Sequence, residues 1–345
     1  MPWWSDSVSK SKPNIYDVAE AAGVSHQTVS RVINHHHSVR PETRARVEQA
    51  MQELGYVPNR AARALVTSKS RLIGILASDT TLYGPAGMLH AIDLEARRFG
   101  YVPFACSVDS HSEAEVRAGV EHLRQMAVDG VILITAAQLP LNIARAGLPG
   151  IPIVILEADE HNNVLEVNVD NYGAAITATR HLIELGHRRI LHIGGVASWA
   201  VARARQRGYE DAMSAAGLPT NVVSGDWQID TGYRVGREYD FAGNGVTAVF
   251  CANDHLALGL MHACRDRGIA VPDDLSVVGF DDIPEAAHLH PPLTTVRQDF
   301  LAMGNQGLRL LMAELGEAPA VENPVLPLEF IVRASTAPPG KVMNS

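Results

Sequence analysis

Cysteine is scarce: there are three in 345 residues, Cys106, Cys251 and Cys264, far apart and set among apolar neighbours. That number and spacing exclude a disulfide framework and a cysteine-based zinc site, and read as buried free thiols in a reducing compartment. Aromatic residues make up only 6% of the chain, and no apolar run approaches the ~18 residues of a membrane span. Met1–Pro13 carries Trp3, Trp4, two lysines and several serines but no apolar segment of a secretory signal, so the expected location is the cytoplasm. The motifs of nucleotide and acyl chemistry are missing too. Gly194-Gly195 ends an apolar strand without a G-x-G-x-x-G turn, and neither a phosphate-binding G-x-x-x-x-G-K-[ST] loop nor a G-x-S-x-G elbow occurs. Cys251, the one imaginable nucleophile, has flanks better suited to a buried strand. The chain therefore reads as a non-enzyme, and nothing in its spacing asks for a cofactor or a metal.

What is present is a globular composition, 46% hydrophobic and 19% charged, in a chain too long for one ordinary domain. The net charge of −9 is unevenly spread. Through Lys69 there are nine Lys and Arg against six Asp and Glu, or +3; the remainder holds 20 against 32, or −12. A mildly basic head on an acidic body attracts phosphate locally without sticking wholesale to nucleic acid.

In the head, Ile15, Val18, Ala19 and Ala22 recur at the spacing of one helical face. Gly23 supplies the positive φ that ends this helix, and Ser25 caps a second one that runs to about Asn34 with Val29, Val32 and Ile33 facing the first. Two short helices joined by a glycine turn make a helix-turn-helix, whose second helix enters the major groove with its N-terminal residues against base edges. Those residues are His26, Gln27 and, one turn on, Arg31. Gln pairs bidentately with adenine and Arg with guanine. Ser25, Thr28, Ser30 and Asn34 suit phosphate oxygens. A third helix is expected from Pro41, through Val47 and Met51, to Gly55. His35-His36-His37 falls in the loop before it without a partner at ligand spacing, and reads as a solvated loop that touches phosphate at most.

After this head (13–57), residues 58–70 form a hinge. Asn59 caps and Ala61, Ala62 and Ala64 favour a short helix, yet about eight residues do not hold one alone in water, so it needs a partner to fold against. From Arg71 to 336 the pattern changes to apolar strands alternating with helical stretches. Strands are expected at Leu72–Leu76, Val102–Cys106, Val131–Ile134, Ile153–Leu156, Ile190–Ile193, Ala248–Cys251 and Ser276–Phe280. Near-continuous apolar strands imply parallel sheets covered on both faces, and two sets imply two α/β lobes with a ligand cleft between them at the carboxyl ends of the strands. The residues at those ends suit a sugar: Asp79 through Pro85, including Tyr83, then Glu157 and Asp159, Arg203 and Arg205, Asn253 and Asp254, and Asp281 and Asp282. Trp227 and Phe300 offer apolar faces. The tail, 337–345, is expected to be disordered.

Tyr16-Asp-Val-Ala-Glu and Gln27-Thr-Val-Ser-Arg31 resemble the head of LacI/GalR-family repressors, with His26 where that family would suggest an aromatic residue. The resemblance continues through Ala202–Arg205, Gly225–Trp227, Ala252–Gly259, Ser276–Asp282 and Pro291–Phe300, and covers roughly residues 12–336. It implies an all-α helix-turn-helix head on an α/β, two-lobed, periplasmic-binding-protein-like (type I) effector domain. It implies that paired hinge helices fold in the minor groove through Asn59, Arg60 and Ala62, with Leu65 wedged between base pairs. It implies a pocket lined by Arg205, Trp227, Asn253, Asp281, Gln298 and Phe300, to which Tyr83, Pro85 and Glu157 add from neighbouring strand ends. Glu157, Ile134, Trp199 and Val201 depart from the family pattern, so the pocket is reshaped. The implied partners are double-stranded operator DNA, a second copy of the chain and a small sugar, with a galactoside expected to release the operator. No heptad repeat follows Arg333, so a dimer is expected. Arg203 and Arg205 leave a purine or phosphorylated metabolite open as the effector. The body alone would equally fit a sugar-binding carrier; the head decides against that.

Overall fold

In the computed structural model, residues 13–33, 38–57, 69–135, 138–156, 165–320 and 325–340 are described. The expectations for Asn34, His35–His37, Asn59, Arg60, Ala62, Leu65, Glu157 and Asp159 lie outside them. The chain divides into two units, 1–70 and 71–345.

The first unit opens with helix α1, Ile15–Ala22. Asn14 Oδ1 accepts from the amides of Tyr16 (2.8 Å) and Asp17 (3.3 Å), while Asp17 Oδ2 accepts from the Asn14 amide at 2.7 Å. These reciprocal bonds satisfy helix-start donors that have no intrahelical partner. Gly23, at φ 63° and ψ 40°, ends the helix in the left-handed region, as its residue type requires. Ser25 Oγ accepts from the Thr28 amide at 3.2 Å and starts α2, His26–Ile33. Helix α3, Pro41–Leu54, begins on its proline and ends at Gly55. Val18, Ala19, Ala22, Val29, Val32, Val47 and Ala50 are buried together as the core of the three helices.

The second unit holds two parallel sheets. In the first, β1 (Leu72–Ala77), β2 (Val102–Ser107), β3 (Gly130–Ile134), β4 (Ile153–Leu156) and β5 (Leu165–Val169) alternate with α4 (Tyr83–Arg98), α5 (Glu113–Gln125) and α6 (Gln138–Gly147). The chain then enters the second lobe through α7 (Asn171–Glu184). That lobe contains β6 (Ile190–Ile193), α8 (Ala200–Ala215), β7 (Val222–Val223), α9 (Ile229–Glu238), β8 (Ala248–Cys251), α10 (Asp254–Asp266), β9 (Ser276–Val278) and β10 (Thr295–Arg297). Helix α11 (Phe300–Glu314) and β11 (Val325–Leu326) return to the first lobe, and β12 (Glu329–Ile331) pairs antiparallel with β10 in the second. The first sheet runs β11-β5-β4-β3-β1-β2 and the second β7-β6-β8-β9. Three crossings, at 169–171, 297–300 and 326–329, therefore join the lobes.

Burial differs between strands. β3, β4, β6, β8 and β9 are buried throughout, whereas β2, an edge strand, is half-exposed. That edge corrects one expectation: Cys106 is only partly buried, while Cys251 and Cys264 are buried free thiols. β5 escapes an apolar-run reading because Glu166 and Asn168 interrupt it.

A second correction concerns the tail. Ala337 is bonded both ways to Ser276 Oγ (3.0 Å each), and its carbonyl lies 2.9 Å from Nε2 of the buried His187. The chain is thus ordered through Gly340, past the point where disorder was expected.

His192 is fully buried in β6, stacked between Tyr209 and Phe250, with Nδ1 3.0 Å from the Phe250 carbonyl. Burial pushes its pKa down to about 4 from the ordinary 6.5. Between those values the unfolded chain holds the extra proton. The contribution is therefore present in full above pH 6.5 and lost as pH falls towards 4, to a total of about 3 kcal/mol. Thermal melts of wild type and His192→Phe from pH 7.5 to 4.5 should converge as the pH falls. Parallel curves would mean that His192 is not the group being protonated.

Candidate functional site

Two surfaces carry the candidate chemistry. On the head, Ser25, His26, Gln27 and Arg31 are exposed along the start and outer face of α2, and Thr28 and Ser30 are half-buried beside them. The helix turns its apolar side inward through Val29 and Val32, so the residues expected to read bases share the outward face. Ser25 Oγ and Thr28 Oγ1 lie 3.0 Å apart, which couples two of the expected phosphate-binding hydroxyls to the cap of the same helix. Sequence reasoning missed Tyr16: it is 64% exposed, and its ring lies 5.2 Å from that of His26. Tyr16 appeared in the sequence only within the motif that carries the family resemblance and not among the expected DNA contacts.

In the second unit, Tyr83, Pro85, Arg205, Trp227, Asn253, Asp281, Gln298 and Phe300 line one pocket between the lobes. Eight of the nine expected effector residues thus converge; Glu157 is the ninth. Leu82, Gly84, Trp199, Val201 and His255 complete the lining among the described residues. Trp199 and Val201 stood out in the sequence only as departures from a family pattern, and Leu82 only as part of the run Asp79 through Pro85.

Arg205 is the electrostatic centre. It is 3% exposed and donates Nε to Asn171 Oδ1 (2.9 Å) and Nη1 to the Ala252 carbonyl (2.6 Å), with Asp281 Oδ1 3.7 Å away. Its guanidinium lies 3.8 Å over the Phe280 ring and 5.6 Å from that of Trp227. Asp281 Oδ1 also accepts from Gln298 Nε2 at 2.7 Å. Burial raises the Asp281 pKa, and Arg205 and Gln298 only partly oppose this. Asp254, raised by burial and by Asp281, accepts from Thr295 Oγ1 (2.6 Å) and the Ile283 amide (2.9 Å). Asp282 is taken up by Arg333 (2.6 Å) and Arg297 (2.8 Å). The backbone at Asp281 is forced to φ 116°, a strained region for a non-glycine residue that costs about 1–3 kcal/mol and marks functional sites.

Other assignments shift in detail. Asn253 spends its amide inside the protein, capping α10 through the Leu256 amide (2.9 Å) and donating to the Trp227 carbonyl (3.2 Å). Arg203 turns away from the pocket, its Nη1 donating to the Ser198 carbonyl at 2.6 Å. Trp227 packs on Gly195, where a Cβ would overlap the indole, so one face is already covered. Trp227 Nε1 and Gln298 Oε1 are buried without a hydrogen-bond partner among the described residues, a donor and an acceptor at the pocket wall. The remaining void is about 40 Å³. Among the described residues there is no cluster able to hold a metal ion and no helix long and apolar enough to cross a membrane.

Both units match known proteins. Residues 14–59 match the bacterial regulatory proteins of the lacI family, and 179–336 match the periplasmic binding protein-like domain. The chain is 33% identical to the lactose operon repressor of Escherichia coli K12, over 94% of this chain and 91% of that one. It is 36% identical to the transcriptional regulator CelR of Thermobifida fusca, over 94% and 98%. Among solved structures, the lac repressor dimer bound to operator and the anti-inducer ONPF is similar at a TM-score of 0.86 and 31% identity, covering 95% of this chain and all of that one. With the helix-turn-helix and the two-lobed parallel α/β body described above, these matches show that the chain belongs to the lacI family of bacterial regulatory proteins, as a DNA-binding transcriptional repressor.

Proposed function

We propose that a homodimer of this chain reads a two-fold operator through α2 in the cytoplasm, and that a neutral sugar bound between the lobes releases it. The observation that carries the effector reading is the state of Arg205. Its charge is countered by Asp281 and its N–H groups are directed at Asn171 and Ala252, so among the described residues the pocket offers no uncompensated cation to a phosphate. Arg203, the other cation that favoured a phosphorylated ligand, faces loop carbonyls. What the pocket offers instead is a carboxylate, an indole N–H, an amide oxygen and the rings of Tyr83 and Phe300, suited to vicinal hydroxyls on an apolar ring. Likeness to the lactose operon repressor makes a galactoside the first sugar to test. The cellobiose of the CelR complex and the ribose bound to an Enterococcus faecium relative are the rivals.

The base-reading assignment rests on the outward face of α2. Arg31→Ala should weaken operator binding by about 1–3 kcal/mol and relax specificity at one base pair. Equal losses on operator and random DNA in a competition gel shift would reduce Arg31 to a phosphate contact.

The effector assignment rests on Asp281. In gel-shift titrations with galactosides, cellobiose, ribose and sugar phosphates, a neutral sugar should release wild type. Asp281→Asn should keep its operator and lose the response, because a ligand hydroxyl left unpaired costs about 1–3 kcal/mol. Release by phosphorylated compounds alone would overturn the sugar reading.

A further inference from the structure

The void of about 40 Å³ in the effector pocket holds only about three waters, far below the ~300 Å³ at which ligand pockets begin. Binding a sugar therefore requires a wall to move, and the walls differ in what they are tied to. Tyr83 and Phe300 belong to the first lobe, so parting the lobes carries them away from Arg205 and Trp227. Trp199 and Trp227 both sit in the core of the second lobe. Their ring centroids are 5.6 Å apart at 48°, direct aromatic contact that leaves no slot for a sugar ring between them. Lobe opening does not widen that gap. Trp227 is backed by Gly195 and overlaid by Arg205, so the room on this side of the pocket is set by Trp199.

Trp199 ends the loop 196–199, and that loop is braced from both lobes. From its own lobe, Arg203 Nη1 donates to the Ser198 carbonyl at 2.6 Å and to that of Ala197 at 3.4 Å, and the Trp199 amide donates to the Val196 carbonyl at 2.9 Å. From the first lobe, His111 Nε2 lies 2.5 Å from Ser198 Oγ. His111 is oriented by Asp109, whose Oδ1 lies 2.9 Å from the His111 amide and 3.3 Å from Nδ1. Asp109 and His111 follow β2, the edge strand farthest from the β5 and β11 crossings, so this bond bridges the cleft on its open side.

We propose that the 196–199 loop is a size gate. Trp199 occupies the space a second sugar ring would need, and the His111–Ser198 bond positions the loop so that the pocket admits one ring. The proposal rests on the sugar reading of this pocket. Trp199 sets specificity by contact with the ligand; His111 acts through Ser198 and is a positioning residue.

The test is calorimetric titration of the full-length protein with D-galactose, lactose and cellobiose, the readout being the ratio of disaccharide to monosaccharide affinity. Wild type should favour the single ring by at least about tenfold. Trp199→Ser should raise the ratio by about tenfold or more. His111→Ala and Ser198→Ala should raise it less, and the double variant no further than either alone, since both remove one bond. His111→Gln, which keeps a donor, should restore discrimination. Melting temperature and operator binding confirm that each variant is folded; should Trp199→Ser fail to fold, Trp199→Phe serves in its place. Wild type binding disaccharides as well as galactose, or a ratio unmoved in every variant, overturns the gate and leaves the sugar reading standing. No binding of any sugar to wild type or to folded variants overturns both.

Discussion

The guanidinium of Arg205 is pinned from five sides: Asn171 at the start of α7, the Ala252 carbonyl after β8, Asp281 after β9, and the rings of Phe280 and Trp227. Asn171 follows the first crossing between the lobes, and Asp281 is bonded to Gln298 at the second. One buried charge thus ties two of the three crossings to the floor of the candidate pocket. Its desolvation is offset only while every partner stays in place, and removing one partner of such a pair costs about 3–5 kcal/mol. The strained φ at Asp281 is held by a further bond, its amide donating to the Val296 carbonyl at 2.7 Å.

That arrangement explains how a small ligand can act on the whole body. A sugar hydroxyl that binds Asp281 or Gln298 competes for acceptors and donors that now bind one another. The gain from ligand and the loss from the resident bonds fall on the residues that join the lobes. A ligand that prefers a different lobe arrangement therefore shifts the equilibrium between arrangements by its difference in affinity for the two, and by no more than that.

Much of this was legible in the residues. All seven expected strands are present, because each is a short, mostly apolar run that needs no partner information to recognise. The head was legible because Asn14, Gly23, Ser25 and Pro41 punctuate helices whose apolar positions keep one period. What escaped were features set by tertiary placement. Glu166 and Asn168 disguised β5, and β11 and β12 are too short to carry a pattern. Ala337 looked like the start of a loose tail because its partners, Ser276 and His187, lie about 60 and 150 residues away in sequence. In the pocket, Leu82 was covered only by the run Asp79 through Pro85 and His255 only by the segment Ala252–Gly259; both line it by virtue of where their helices start. Trp199 was visible as an odd residue, but the sequence could not show that it lines the pocket in contact with Trp227.

Linkage supplies the most direct test of the central claim, that one cleft governs operator binding through a neutral sugar. If the sugar weakens operator binding by some factor, the operator must weaken sugar binding by the same factor. Calorimetric titration of the releasing sugar into the full-length protein, with and without saturating operator duplex, measures that factor independently of the gel shift. The account predicts that the two factors agree within error and that Asp281→Asn abolishes both. Equal sugar affinity in the presence and absence of operator would contradict it.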